Sequence, residues 1–225
     1  MIPLRNNIPN KIFPLINWIL IGMNFYYFYI ELMIPSQVRL ESFIAHWAVV
    51  PKVLWANPSQ HAVTLITATF LHGGWLHIIS NMLFLHIFGD SVEDRMGHGR
   101  YLIFYILAGI LANGTQAYFT PASTIPLIGA SGAIAGVLGA YFFYYPYSEV
   151  DTLIPIFFFI TIRSIPAFIF LGYWFILQTL NSTFSITSMA SGHTMGGVAF
   201  LAHAAGFVSG LVLGPAFGKK SGRFR

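Results

Sequence analysis

The sequence has no cysteine, and its 225 residues include only 11 basic and 7 acidic side chains. Without thiols there is no disulfide framework and no thiolate zinc site. Charged residues make up 8% of the chain, against about 25% in soluble domains. Residues 101–148 and 164–218 contain no Asp, Glu, Lys or Arg at all. A soluble domain could not cover itself with so little charge. The same composition excludes a disordered chain, a collagenous repeat and a coiled coil. The formal net charge is +4, but the basic residues stand singly or in the C-terminal tail instead of being banded with aromatics. No nucleic-acid partner is expected.

What is present is apolar, 56% of all residues. A membrane-spanning helix needs roughly 20 mostly apolar residues. Six stretches qualify or come close: 12–34, 72–89, 101–119, 127–145, 164–181 and 194–217. The predicted fold class is therefore all-α, a polytopic membrane protein with a six-transmembrane-helix bundle. It forms one membrane domain over 1–225, with short tails at 1–11 and 218–225. The first run is too long for a cleaved signal peptide, and no small-x-small site follows it. Residues 152–162 are apolar but short. They read as an interfacial or re-entrant segment, or as an extension of the fifth helix bent at Pro155 and Pro166. Residues 35–71 form the longest connection, expected to be partly buried at the membrane face. Arg5, Lys11, Arg95, Arg100, Arg163, Lys219, Lys220, Arg223 and Arg225 flank alternate connections, and only Arg39 and Lys52 fall opposite. The basic side faces the cytoplasm, which puts both termini there.

Polar groups within apolar runs are costly and call for a reason. Ser131 opens the fourth run among Gly129, Gly132, Gly136 and Gly139. A lone membrane serine commonly bonds a carbonyl one turn back. Here the small-residue stripe would let another helix backbone come close, and a hydroxyl must lie within about 2.6–3.2 Å of a base to be activated. His203 in the sixth run supplies such a base, roughly 13 Å from the outer end of its helix at 1.5 Å per residue. Gly206, Gly210 and Gly214 continue from it. Two glycine stripes, each bearing one half of a serine–histidine pair, look like mates, although a buried histidine on its own is more often a hydrogen-bonded core residue. His77 and Asn81, four apart, share one helix face and can both donate hydrogen bonds without formal charge. They suit an oxyanion site or, more blandly, bonds between helices. His72 is read as positioning the preceding loop, and His86 with Asp90 as bonding locally. His46, His61, His98 and His193 carry no clear signal. No His-Glu-x-x-His pattern occurs, and neither a metal nor a cofactor is expected.

These residues resemble the rhomboid family of intramembrane serine proteases. The likeness runs from about residue 69 to 214. It rests on the His72–His77–Asn81 run, Gly129-x-Ser131-Gly132, Ala202-His203-x-x-Gly206-x-x-x-Gly210, and Gly89-Asp90-x-x-Glu93-Asp94-x-x-Gly97 between the second and third runs. The resemblance implies Ser131 as nucleophile and His203 as its general base, a dyad without an acidic third member. It implies an oxyanion site of His77, Asn81 and the Ser131 N–H, reached by water from the outer face. It also implies membrane-spanning protein substrates, cut within or beside the bilayer. The alternative is an inactive rhomboid-like protein that binds transmembrane helices. A transporter with proton-relaying histidines is disfavoured by the lack of acidic residues in the fourth and sixth runs. Two features depart from the pattern. Ala135 stands where some members stack an aromatic ring on the catalytic imidazole, so a nearby tyrosine or phenylalanine is expected to orient His203. Residues 35–71 also lack the Trp-Arg pair that braces this loop in some bacterial members. The short tails point to a prokaryotic inner membrane.

Overall fold

A computed structural model describes residues 1–156, 159–190 and 200–219, with backbone only at 156 and 181–190. Its elements are β1 (Ile2–Asn6), α1 (Leu15–Met33), α2 (Gln37–Trp47), α3 (Pro51–Ala56), α4 (Pro58–His61), α5 (Thr64–Thr67), a 3-10 turn (Ala68–Phe70), α6 (Trp75–Met96), α7 (His98–Phe119), α8 (Ser131–Tyr144), β2 (Glu149–Ile156), β3 (Phe159–Pro166), α9 (Ala167–Ala190) and α10 (Phe200–Phe217). His193, Lys220, Arg223, Arg225 and the first six positions of the expected sixth run lie outside the described residues.

The bundle is organised by its least bulky helix. Residues 132–141 of α8 are all buried, because glycine and alanine let two neighbours approach its backbone. On one side Ala112 and Ala108 of α7 fill the space left by Gly132 and Gly136. On the other, Gly206 and Gly210 of α10 rest on the carbonyls of Gly132 and Gly136, and Gly139 faces the carbonyl of Phe207. A β-carbon at Gly139, Gly206 or Gly210 would overlap backbone atoms, and one at Gly132 or Gly136 would overlap the β-carbon of Ala112 or Ala108. The stripes read in the sequence are thus a mutual groove, packed chiefly by van der Waals contact.

Among the described residues, His98–Phe119 and Phe200–Phe217 are long and apolar enough to cross a membrane. Pro58–Phe70 and Trp75–Met96 make a third if counted as one span bent by 84°. Ser131–Tyr144 and Ala167–Leu180 are shorter apolar helices.

The all-α expectation needs one correction. Residues 149–156 and 159–166 do not extend α9 but pair as strands. β2 and β3 form an antiparallel hairpin, and β1 adds to it in the order β1-β2-β3. Val150, Thr152, Ile154, Ile160, Thr161 and Ile162 are β-branched and favour a pleated strand. Pro155 removes a donor inside any helix but is tolerated here, because β1 pairs only as far as Leu153 and leaves Pro155 on an open edge. Residues 2–6, read as part of a loose tail, are therefore a paired strand.

The same end of the bundle collects several connections. Asn6 donates to the carbonyl of Ile87, Tyr145 Oη lies 3.3 Å from the carbonyl of Ser91, and the Lys219 N–H lies 3.1 Å from the carbonyl of Arg95. The segment 90–94 anchors this end. Glu93 is fully buried and accepts from the N–H groups of Ile16 and Asn17 at 2.9 and 2.7 Å, closing the N-terminus of α1. Asp94 accepts from Lys11 and Ile12 N–H, and Asp90 from the Asn17 amide. His98, which carried no sequence signal, contacts Glu93 through Nδ1. Gly97, at φ 83°, reverses the chain between α6 and α7 in a conformation few other residues adopt.

The opposite end carries the connection of residues 34–74, here four short helices and the 3-10 turn. It is braced without a Trp-Arg pair. The Thr67 hydroxyl donates to the carbonyl of Trp47, Trp55 Nε1 donates to the carbonyl of Ala117, and Val49 pairs with Leu127.

Candidate active site

Ser131 is the first residue of α8 and His203 lies in the first turn of the described part of α10. The seating of Gly206 on Gly132 sets these two helix ends side by side. The result is a hydrogen bond between Ser131 Oγ and His203 Nε2 of 2.7 Å, between residues 72 apart in sequence. α8 has 14 residues, which is about 21 Å at 1.5 Å per residue, well short of a hydrocarbon core about 30 Å thick.

His77 and Asn81 come from the first two turns of α6. Both line a cavity of about 630 Å³ together with Gly73, Gly74, Ser80, Ser131 and His203. The Gly73 N–H points to His77 Nδ1 at 3.4 Å. With Nδ1 accepting, a neutral His77 carries its proton on Nε2. That nitrogen lies where a side chain of residue 129 would go, 2.7 Å from an ideal β-carbon there. Gly129, at φ 121°, has none. Glycine at 129 thus lets His77 approach the start of α8. The first N–H groups of α8 have no intrahelical acceptor and form the positive end of its dipole. Asn81 Nδ2 and His72 Nε2 lie 3.0 Å apart, and the His72 N–H is held by both Glu31 carboxylate oxygens at 3.1 and 3.2 Å. His72, read as positioning its loop, thus also contacts Asn81. His86 Nδ1 and Asp90 Oδ2 are 3.9 Å apart at the other end of α6, within the local pairing read for them. His46 and His61 lie outside the cavity, in α2 and α4.

The sequence reading missed two residues. Gln178 Oε1 lies 2.8 Å from His203 Nδ1, and the Trp174 ring lies 6.1 Å from the imidazole at 31°. Both come from one face of α9 and line a second cavity of about 180 Å³ with Phe84, Ser131 and His203. The expected aromatic neighbour is present in Phe200, whose ring meets His203 edge-on at 6.4 Å, and the Gln178–Trp174 pair adds to it. The signal was an amide within an apolar run, four residues after a tryptophan. At Ala135 there is no room for an aromatic ring, since Ala135 is fully buried against Gly206.

Among the described residues no group of three or more His, Asp or Glu is placed to hold a metal ion. The arrangement offers an alcohol bonded to an imidazole, with neutral donors on the facing helix. That set suits attack on a carbonyl carbon, with the negative charge received on its oxygen.

A family model described as Rhomboid domain matches residues 59–220. The chain is 43% identical over 76 residues to "Rhomboid protease GluP" of Bacillus subtilis, covering 34% of this chain and 14% of that protein. It is 39% identical over 72 residues to "Rhomboid-like protein 11, chloroplastic" of Arabidopsis thaliana, covering 32% and 25%. It is 29% identical over 114 residues to "Inactive rhomboid protein 1" of Drosophila melanogaster, covering 51% and 8%. The aligned stretches thus span a quarter or less of each of these relatives. With the matched domain covering well over half of its length, the chain belongs to the rhomboid family.

Proposed function

We propose that the chain is an intramembrane serine endopeptidase that cuts membrane-spanning helices of other proteins. The observation that carries this reading is the 2.7 Å bond between Ser131 Oγ and His203 Nε2 at the wall of the cavity lined by His77 and Asn81. Ser131 Oγ attacks the substrate carbonyl carbon while its proton passes to His203 Nε2. The resulting oxyanion is met by His77, Asn81 and the Ser131 N–H. The imidazolium then protonates the departing amine, leaving an acyl-enzyme that water hydrolyses by the reverse transfers. A substrate helix must unwind first, because its peptide bonds are shielded and already hydrogen-bonded.

The six-span topology, with both termini cytoplasmic in a prokaryotic inner membrane, belongs to the same proposal. It draws support from Arg5, Lys11, Arg95, Arg100 and Lys219 lying at the end of the bundle opposite Arg39 and Lys52.

The test is cleavage of a single-pass substrate by purified protein in liposomes, beside Ser131→Ala, with fluorophosphonate labelling of the wild type. Wild-type cleavage and labelling, both lost in Ser131→Ala, support the proposal. A folded wild type that neither cleaves nor labels favours the helix-binding alternative.

A further inference from the structure

We propose that Gln178 is a positioning residue that fixes His203 as a base. The inference rests on the proteolytic reading above and adds to the serine–histidine pair a neutral third member from a third helix.

For Ser131 to give up its proton, His203 Nε2 must present a lone pair to Oγ. A neutral imidazole does so only when its proton sits on Nδ1. Gln178 Oε1, 2.8 Å from Nδ1, is an acceptor for that proton. It selects the tautomer in which the 2.7 Å contact to Ser131 runs from hydroxyl to nitrogen. The opposite tautomer would aim an N–H at Oγ and give the hydroxyl no base. Trp174, one turn before Gln178 on α9, lies beside the ring and limits its tilt. Two contacts from one helix face therefore set the two properties a base needs, its proton position and its plane.

A neutral amide avoids a cost that a carboxylate would carry here. A carboxylate would orient the ring equally well, but it would be an ion among apolar helices without a cation to pair with. No Lys or Arg occurs between residues 164 and 218. The amide dipole still favours the imidazolium formed during attack. The titratable group facing His203 from α6 is His77. Ser131 faces it from α8, and among the described residues no carboxylate lines either cavity.

The experiment compares wild type, Gln178→Leu, Gln178→Asn and Gln178→Glu in liposomes, measuring kcat, KM and the pH profile on one single-pass substrate. Leucine keeps the volume but removes the acceptor. It should lower kcat roughly 10- to 100-fold, as expected for losing one buried hydrogen bond at the reacting pair, with KM little changed and melting temperature near wild type. Asparagine, one methylene short of Nδ1, should behave like leucine. Glutamate restores an acceptor at the same reach and should recover most of the loss. Its charge favours imidazolium, so the acid limb of kcat/KM should move to higher pH, which a merely structural contact would not do. Wild-type turnover matched by Gln178→Leu overturns this inference alone, as does a glutamate variant no better than leucine with an unmoved pH limb. A folded wild type without turnover overturns both this inference and the reading beneath it.

Discussion

Substituting alanine along the α10 glycine stripe should separate packing from chemistry. In Gly210→Ala the new β-carbon would stand 2.6 Å from the Gly136 carbonyl carbon and 2.8 Å from its Cα, with the carbonyl oxygen closer still. Carbon atoms in ordinary contact lie about 3.5–4.0 Å apart, so α8 and α10 must part by about 0.8 Å or more. Overpacking of this kind costs roughly 1–3 kcal/mol. The same displacement, passed to the Ser131–His203 bond of 2.7 Å, takes it to the limit of hydrogen bonding. A misplacement of about 1 Å can cost roughly 100-fold in rate. Gly210→Ala and Gly206→Ala should therefore fold with lowered melting temperatures and lose about that much activity. Gly214→Ala meets Ala140 Cβ at 3.3 Å and should lose only a few-fold. Gly22→Ala and Gly172→Ala, with nothing within 4 Å of the added carbon, are the controls. The assay is cleavage in liposomes beside thermal melting in detergent. Near-wild-type cleavage by Gly210→Ala would refute the argument that backbone contact sets the site.

Ser131→Ala and His203→Ala should each abolish cleavage, and the double variant should cost little more, because the two act as a unit; additive losses in a double-mutant cycle would argue against a shared step. Asn81→Ala should slow kcat by roughly 10²–10³-fold without abolishing it, the range for one lost oxyanion donor, and unchanged kinetics would remove Asn81 from that role. Glu93→Ala strands the N–H groups of Ile16 and Asn17, so it should destabilise by at least roughly 1–3 kcal/mol in thermal melts; a neutral outcome would contradict the cap described for α1. The Ser164 hydroxyl, and then Arg5, hold the Asp151 carboxyl below its ordinary range. A lowered folded-state pKa means the contribution is present above that range and lost as pH falls through the lowered value. Protection of the β1 amides, taken relative to their intrinsic exchange rate at each pH, should fall in acid in the wild type and lose this response in Asp151→Asn.

The serine–histidine pair was legible in the sequence because glycines at four-residue spacing announce close helix approach, and each polar group sat on such a stripe. The hairpin is not, because the apolar length of residues 152–162 does not separate a short strand from a short helix. Their β-branched alternation and Pro155 were the better guide, and the partner strand lay some 150 residues earlier. Gln178 escaped for another reason. An amide within an apolar run signals a partner but not which one, and its partner is 25 residues away on another helix. The carboxylates of 90–94 stand out as a motif, yet most of their targets are backbone N–H groups at and before the start of α1, which look alike in any sequence.

The alcohol and the imidazole are 72 residues apart in the chain, and the groove joining them needs α10 in place against α8. During synthesis the first leaves the ribosome well before the second, and no shorter intermediate contains both. A chain that has not yet reached α10 therefore holds a hydroxyl without its imidazole, and under the proposed reading it gains its base only when α10 seats against α8.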